Sequence, residues 1–170
     1  SSYSGNTEET LSSFNECKNK QCPIIVLSTG GKISDYAKKM NYDLIQFPVG
    51  YQPRAAIGYS FTIILLLLNS LGLISHSIIN CVKKSILPIK ILTSELSSEN
   101  NLAFDIARRI YSTCPIIYGS EDLTWVVALR FRGQLAENAK MLSFHHHFPE
   151  QNHNEIEGWT ANPDITDKFS

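Results

Sequence analysis

The sequence predicts an α/β fold in which parallel strands are covered by helices on both faces. Three observations carry that prediction. Short runs such as Pro23-Ile24-Ile25-Val26-Leu27-Ser28 are continuously apolar. They lack the alternation of a half-exposed strand and read as strands buried on both sides. These runs alternate with helical stretches, the order that parallel strands need for their crossovers. A strand followed by a small-residue loop also occurs twice, ending at Thr29-Gly30-Gly31 and at Gly119-Ser120.

Ser1 to Thr10 is a polar loop that runs into a helix from Leu11 to Lys20. Hydroxyl and amide side chains cap free amides at such a start, and Glu8 and Glu9 suit the positive end of the helix dipole. The strand Pro23 to Ser28 follows, then a short helix from Ser34 to Met40 and a strand from Asp43 to Val49. After Pro53, Ala55 to Leu71 is a long helix with leucines on all sides, expected to be buried from several directions by domain packing or a subunit interface. Leu73 to Leu87 and Asn101 to Thr113 read as further helices, and the polar stretch Thr93 to Asn100 between them as a linker or hinge. Cys114 to Ser120 is a strand, Thr124 to Lys140 a second long helix, and Met141 to Phe148 a strand. From Pro149 the chain turns polar. A parallel sheet that begins with a loop and a helix lacks its first strand, so the sequence reads as cut at the front, and it stops before its second unit closes.

Composition narrows the function. The chain has 170 residues, 43% hydrophobic and 18% charged, enough to bury a core. Its net charge is −1 and no basic block exceeds two residues, which argues against a nucleic-acid partner held through phosphates. The four cysteines, Cys17, Cys22, Cys81 and Cys114, form no C-x-x-C pair and read as reduced intracellular thiols. The apolar run Ile63 to Leu68 is far too short to span a membrane. The expected address is the cytoplasm, with no membrane association.

The strongest local signal is Ser2-Tyr3-Ser4-Gly5-Asn6-Thr7-Glu8-Glu9-Thr10. Closely spaced hydroxyls and a glycine at a helix start aim hydroxyl and backbone donors at one point, where the dipole favours an anion. On the residues alone, a well-capped helix with nothing bound is the equal alternative. Lys32 after Gly30-Gly31 lacks the spacing of a nucleotide-binding loop.

The pattern S-x-S-G-x-T-x-E-T resembles the phosphate loop of sugar isomerase (SIS) domains at every fixed position. By that resemblance Ser2, Ser4 and Thr7 hold a sugar's phosphate, and Gly5 lets the backbone approach it. Gln134-Leu135-Ala136-Glu137-Asn138-Ala139-Lys140 looks like the segment that carries the base in bifunctional phosphoglucose/phosphomannose isomerases. Pro149-Glu150-Gln151-Asn152-His153-Asn154-Glu155 is similar to that family's P-E-x-N-H-N-E signature, and Pro53-Arg54-Ala55 to its P-R-A segment.

The resemblance implies a flavodoxin-like three-layer sandwich with two SIS lobes, each incomplete. Residues 1–92 would be the C-terminal part of the first lobe, 93–113 a connecting segment and helix, and 114–170 the beginning of the second. It implies an aldose–ketose isomerase acting on glucose 6-phosphate and fructose 6-phosphate, with mannose 6-phosphate an open third substrate. It further implies a homodimer without metal or cofactor, serving carbohydrate metabolism. The family's opening strand, an earlier serine and a C-terminal lysine that assists ring opening have no counterpart here.

The chemistry needs these residue types. A single carboxylate, Glu137, can carry a proton between C1 and C2. Imidazole is suited to proton shuttling, and His153 is the candidate to move a proton at the ring oxygen. Arg54 supplies a fixed cation for the enediolate. Singly, Glu137 reads as an exposed helix acid, His153 as a loop histidine and Arg54 as a helix-start residue. The competing function is a non-catalytic phosphosugar-binding SIS module, which would not need Glu137 paired with His153. His145-His146-His147 invites a metal reading, but alternation leaves only His145 and His147 on one face, too few ligands for a compact site.

Overall fold

The computed structural model describes residues 1–161 and 163–170. The apolar runs form strands, each shorter than the run that encodes it. The element order is α1 (Glu8–Asn19), β1 (Ile25–Ser28), α2 (Gly31–Met40), β2 (Asp43–Gln46), a 3-10 turn (Pro53–Ala55), α3 (Ile57–Ser70) and α4 (Ser77–Leu96). It continues with α5 (Leu102–Ile110), β3 (Ile116–Ser120), α6 (Trp125–Gln134), a π-helical turn (Leu135–Ala139) and β4 (Phe144–Phe148). The short helices α7 (Glu150–Asn154), α8 (Gly158–Ala161) and α9 (Pro163–Thr166) complete it. The chain divides into two compact units, Ser1–Leu87 and Pro88–Ser170.

In the first unit β1 and β2 pair in parallel, Ile25 opposite Asp43 and Ser28 opposite Gln46. Leu11 and Phe14 share a face of α1, and Ile33, Ala37 and Met40 share a face of α2, at helical spacing. Phe14, Val26, Ile33 and Ala37 form the core between helices and sheet, with Ile24, Tyr42 and Leu44 against it. Phe14 stacks on Tyr36 and meets Tyr42 edge-on, both at 5.9 Å between centroids.

In the second unit β3 and β4 pair in parallel, Tyr118 opposite His146 and Gly119 opposite His147. Strand β3 closes against the start of α6 at Gly119, where a Cβ would lie 2.6 Å from Thr124 O. On the other edge of β3, Cys114 and Phe169 form a parallel bridge, so the chain's last residues join this sheet. The parallel α/β architecture expected from the sequence is thus present in both units.

One expectation changes, and a second is not met by contacts within this chain alone. The helix read as ending at Leu87 continues through Pro88 to Leu96 and absorbs the first part of the polar stretch read as a linker. Proline removes one backbone donor, which normally favours a helix end. Here the turns on either side remain helical, with Thr93 Oγ1 bonded back to Ile89 O at 2.7 Å. The apolar helix α3, expected to be buried from several directions, buries none of its residues within this chain. Ile57 is 52% and Phe61 60% exposed.

Candidate functional site

Backbone bonds shape the Ser2–Thr7 loop. The Ser2 amide donates to Leu27 O and the Thr29 amide to Tyr3 O, both at 3.0 Å, so the loop lies at the C-terminal end of β1. Gly5 O accepts from the Ile33 amide and Asn6 Oδ1 from the Lys32 amide, again at 3.0 Å. The loop therefore caps α2, whose own N-cap residue Gly30 has no side chain to do so.

Helix α1 begins differently. Thr7 stands at its N-cap but makes no side-chain cap bond. Thr7 Oγ1 instead pairs with Ser2 Oγ at 2.6 Å, and Ser2 Oγ also accepts the Gly5 amide at 3.2 Å. Ser4 Oγ accepts the Asn6 amide at 3.3 Å. Ser2, Ser4, Gly5 and Thr7 are thus gathered at a helix start whose N-cap side chain is engaged elsewhere.

Gly5 has a structural duty that sequence reasoning did not supply. Its φ is +71°, and a Cβ there would lie 1.8 Å from Gly30 O. Gly31 faces the loop reciprocally, at φ +70° with a virtual Cβ 2.4 Å from Ser4 O. Arg54 lies in the same unit, half-buried on the turn Pro53–Ala55.

Glu137 and His153 belong to the second unit. Glu137 lies on the π-helical turn that prolongs α6, a geometry over-represented at functional sites. The turn ends at Lys140 with φ +56°, and Lys140 Nζ donates to Glu137 O at 2.7 Å. Both Glu137 and His153 are exposed. The sequence-predicted residues therefore fall into two groups, Ser2, Ser4, Gly5, Thr7 and Arg54 in one unit and Glu137 and His153 in the other.

His153 rides on α7, which is held to the sheet from both sides of it in sequence. Gln151 is buried. Glu155 accepts a hydrogen bond from Tyr118 Oη at 3.0 Å and lies 3.3 Å from His146 Nε2. His146 Nδ1 accepts the His147 amide at 2.7 Å, which leaves Nε2 to carry the ring proton toward Glu155. Trp159 Nε1 donates to Tyr118 Oη at 3.0 Å. Burial, then the hydrogen bond to Glu155, push the Tyr118 phenol up, which keeps it a donor. Sequence reasoning missed Tyr3, Asn6 and Tyr118. Glu155 could have been found, because it closes the same motif as His153.

A cavity of about 520 Å³ beside β3 and β4 is lined by Ile116, Phe144, His145, Glu155, Trp159 and Phe169, without Glu137 or His153. His145 is held below the usual histidine range by burial first, then by the Arg132 charge and by His146 and His147. The unfolded chain then takes up a proton at about pH 6.5, before the folded chain does. Stability is expected to fall as pH drops below that value, and His145→Gln to weaken the fall, as read by thermal midpoints between about pH 7.5 and 5. Among the described residues no group of three or more His, Cys, Asp or Glu side chains could hold a metal ion. Among them also, no helix is long and apolar enough to cross a membrane.

A hydroxyl-rich loop at a helix start beside parallel strands is in keeping with a SIS-type α/β protein, and the second unit carries the match to such a domain. Residues 99–170 match the family described as bacterial phospho-glucose isomerase C-terminal SIS domain. A bifunctional phosphoglucose/phosphomannose isomerase from Caldicellulosiruptor bescii is 43% identical over 162 residues, covering 93% of this chain and 48% of that protein. The protein of the same name from Aquifex aeolicus is 34% identical over 168 residues, covering 99% and 49%. A D-glucosamine-6-phosphate 4-epimerase from Sulfolobus acidocaldarius is 37% identical over 162 residues, covering 94% and 50%. Along nearly its whole length the chain is similar to bifunctional phosphoglucose/phosphomannose isomerases, and its residues 99–170 carry the match to the SIS domain. It spans about half the length of the curated relatives it matches.

Proposed function

We propose that this chain forms part of an enzyme that interconverts glucose 6-phosphate and fructose 6-phosphate, with mannose 6-phosphate as a further substrate. The observation that carries the reading is the start of α1, where Ser2 and Thr7 pair their hydroxyls instead of capping the helix. The first amides of a helix lack intrahelical acceptors, and with nearby hydroxyls they suit the phosphate of a sugar. Relatives along nearly the whole chain are named as isomerases of phosphorylated glucose and mannose.

In this reading Ser2, Ser4 and Thr7 hold the phosphate. His153 moves a proton at the ring oxygen as the cyclic sugar opens. Glu137 then takes the proton from C2 of the aldose, leaving an enediolate whose negative charge Arg54 balances. Returning the proton to C1, while the hydroxyl proton passes from O2 to O1, gives the ketose, and the reverse sequence regenerates the aldose. Glucose and mannose 6-phosphates differ at C2, so both lead to the same enediolate. The exposed apolar side chains of α3 support a homodimer.

The test is a coupled assay of fructose 6-phosphate conversion to glucose 6-phosphate by the complete protein. Turnover is expected, and His153→Ala is expected to lower kcat about 100-fold with little change in KM. Binding without turnover would instead identify a non-catalytic phosphosugar-binding module. No binding would overturn the assignment of the loop.

A further inference from the structure

Tyr3 lies inside the Ser2–Thr7 loop, and its two halves serve different segments. Its backbone carbonyl accepts the Thr29 amide at 3.0 Å and Thr29 Oγ1 at 2.6 Å, which fixes it to the end of β1. Its side chain reaches the segment that leads to Arg54. Tyr3 Oη donates to Pro48 O at 2.9 Å and accepts the Tyr51 amide at 3.1 Å. Its ring stacks on Phe47, 6.2 Å between centroids and 15° between planes.

Among the described residues that segment buries little of itself. Pro48 to Gln52 are all exposed, Val49 by 73%, and Gly50 has φ +99°. Backbone without apolar burial opens at low cost. The contact continues past Arg54: Tyr59 Oη donates to Tyr51 Oη at 3.2 Å, with the rings 5.3 Å apart. Tyr59 lies in the first turn of α3, directly after the Pro53–Ala55 turn. The hydrogen bond to Tyr51, more than burial, pushes the Tyr59 phenol up and keeps it the donor. Tyr3, Tyr51 and Tyr59 therefore bracket the turn that carries Arg54.

We propose that Tyr3 is a positioning residue that fixes Arg54 relative to the phosphate-binding hydroxyls of the same loop. The inference rests on the isomerase reading for its catalytic consequence but not for its structural one. A substrate anchored by its phosphate presents its reacting carbons at a set distance, so a cation for the enediolate must stand at a matching distance from the anchor. Displacement by about 1 Å can cost a factor of about 100 in rate.

The experiment uses Tyr3→Phe in the complete protein, which removes the hydroxyl and keeps the ring on Phe47. Limited trypsin digestion reads the segment directly, because Arg54-Ala55 is a cleavable bond. Cleavage there is expected to be about threefold or more faster than in the wild type, at an unchanged thermal midpoint. Equal cleavage would overturn the proposal, whether or not the protein is an isomerase. In the kinetic arm kcat is expected to fall about tenfold, while inhibition by inorganic phosphate stays within about twofold of wild type. A parallel loss of phosphate affinity would mean that Tyr3 acts on the phosphate loop itself, and would also overturn it. A wild type without turnover would count against the isomerase reading, leaving the cleavage result to decide on Tyr3.

Discussion

Glu137→Gln in the complete protein is expected to lower isomerisation between about 100-fold and 10,000-fold while leaving fructose 6-phosphate affinity nearly unchanged. The substitution keeps the shape of the side chain and removes only its capacity to hold a proton at the reacting carbons. Nothing local should confuse the result. Lys140 Nζ bonds the backbone carbonyl of Glu137, which glutamine retains. Glu137 is exposed, and substitutions at such positions usually change stability by no more than about 0.5 kcal/mol. Isothermal titration with fructose 6-phosphate, run beside the coupled assay, separates the two quantities. Loss of both binding and turnover would make Glu137 a structural residue, and unchanged turnover would remove it from the mechanism. The first outcome would point to the π-helical turn itself, which Glu137 would then be needed to form.

Local rules found what is local. Ile25 to Ser28 and Ile116 to Ser120 were legible as strands because buried parallel strands are apolar along their length. The hydroxyl cluster at the start of α1 was legible because its residues are neighbours in sequence. The π-helical turn at Leu135–Ala139 was not, since one widened turn hardly alters the apolar spacing of the helix it prolongs. Pro88 misled in the opposite sense: its intrinsic cost predicts a helix end, but helical turns on both sides of it persist. The contacts that organise the site join residues far apart in the chain. Tyr3 and Pro48 are separated by 45 positions, Tyr118 and Glu155 by 37. No periodicity encodes such pairs, because they arise only once parallel strands bring the ends of successive loops together. The motif could name Glu137 and His153 but could not show that Glu155 and Gln151 hold the helix on which His153 rides.

Gly5→Ala is expected to destabilise the first unit by roughly 3–5 kcal/mol and to abolish phosphate binding with it. Two costs combine. At φ +71° an alanine pays about 1–2 kcal/mol for the left-handed conformation. Its Cβ would also lie 1.8 Å from Gly30 O and 2.8 Å from Gly30 C, which are backbone atoms and cannot swing aside as a flexible side chain could. Relief requires the Ser2–Thr7 loop to part from Gly30-Gly31. That movement breaks the bonds from the Ile33 amide to Gly5 O and from the Lys32 amide to Asn6 Oδ1, each worth about 1 kcal/mol, and uncaps α2. A domain with about 5–15 kcal/mol of total stability would feel that loss strongly. Gly50→Ala is the matched control. Its φ is +99°, yet nothing lies within 4 Å of its virtual Cβ, so it bears the conformational cost without the collision. Urea unfolding of both variants, with inorganic phosphate as the binding probe, tells the two costs apart. If Gly5→Ala proved no less stable than Gly50→Ala, close packing of the two loops would not be what shapes the phosphate site. A gap of about 2 kcal/mol or more would show that Gly5 is required first by Gly30, before any ligand arrives.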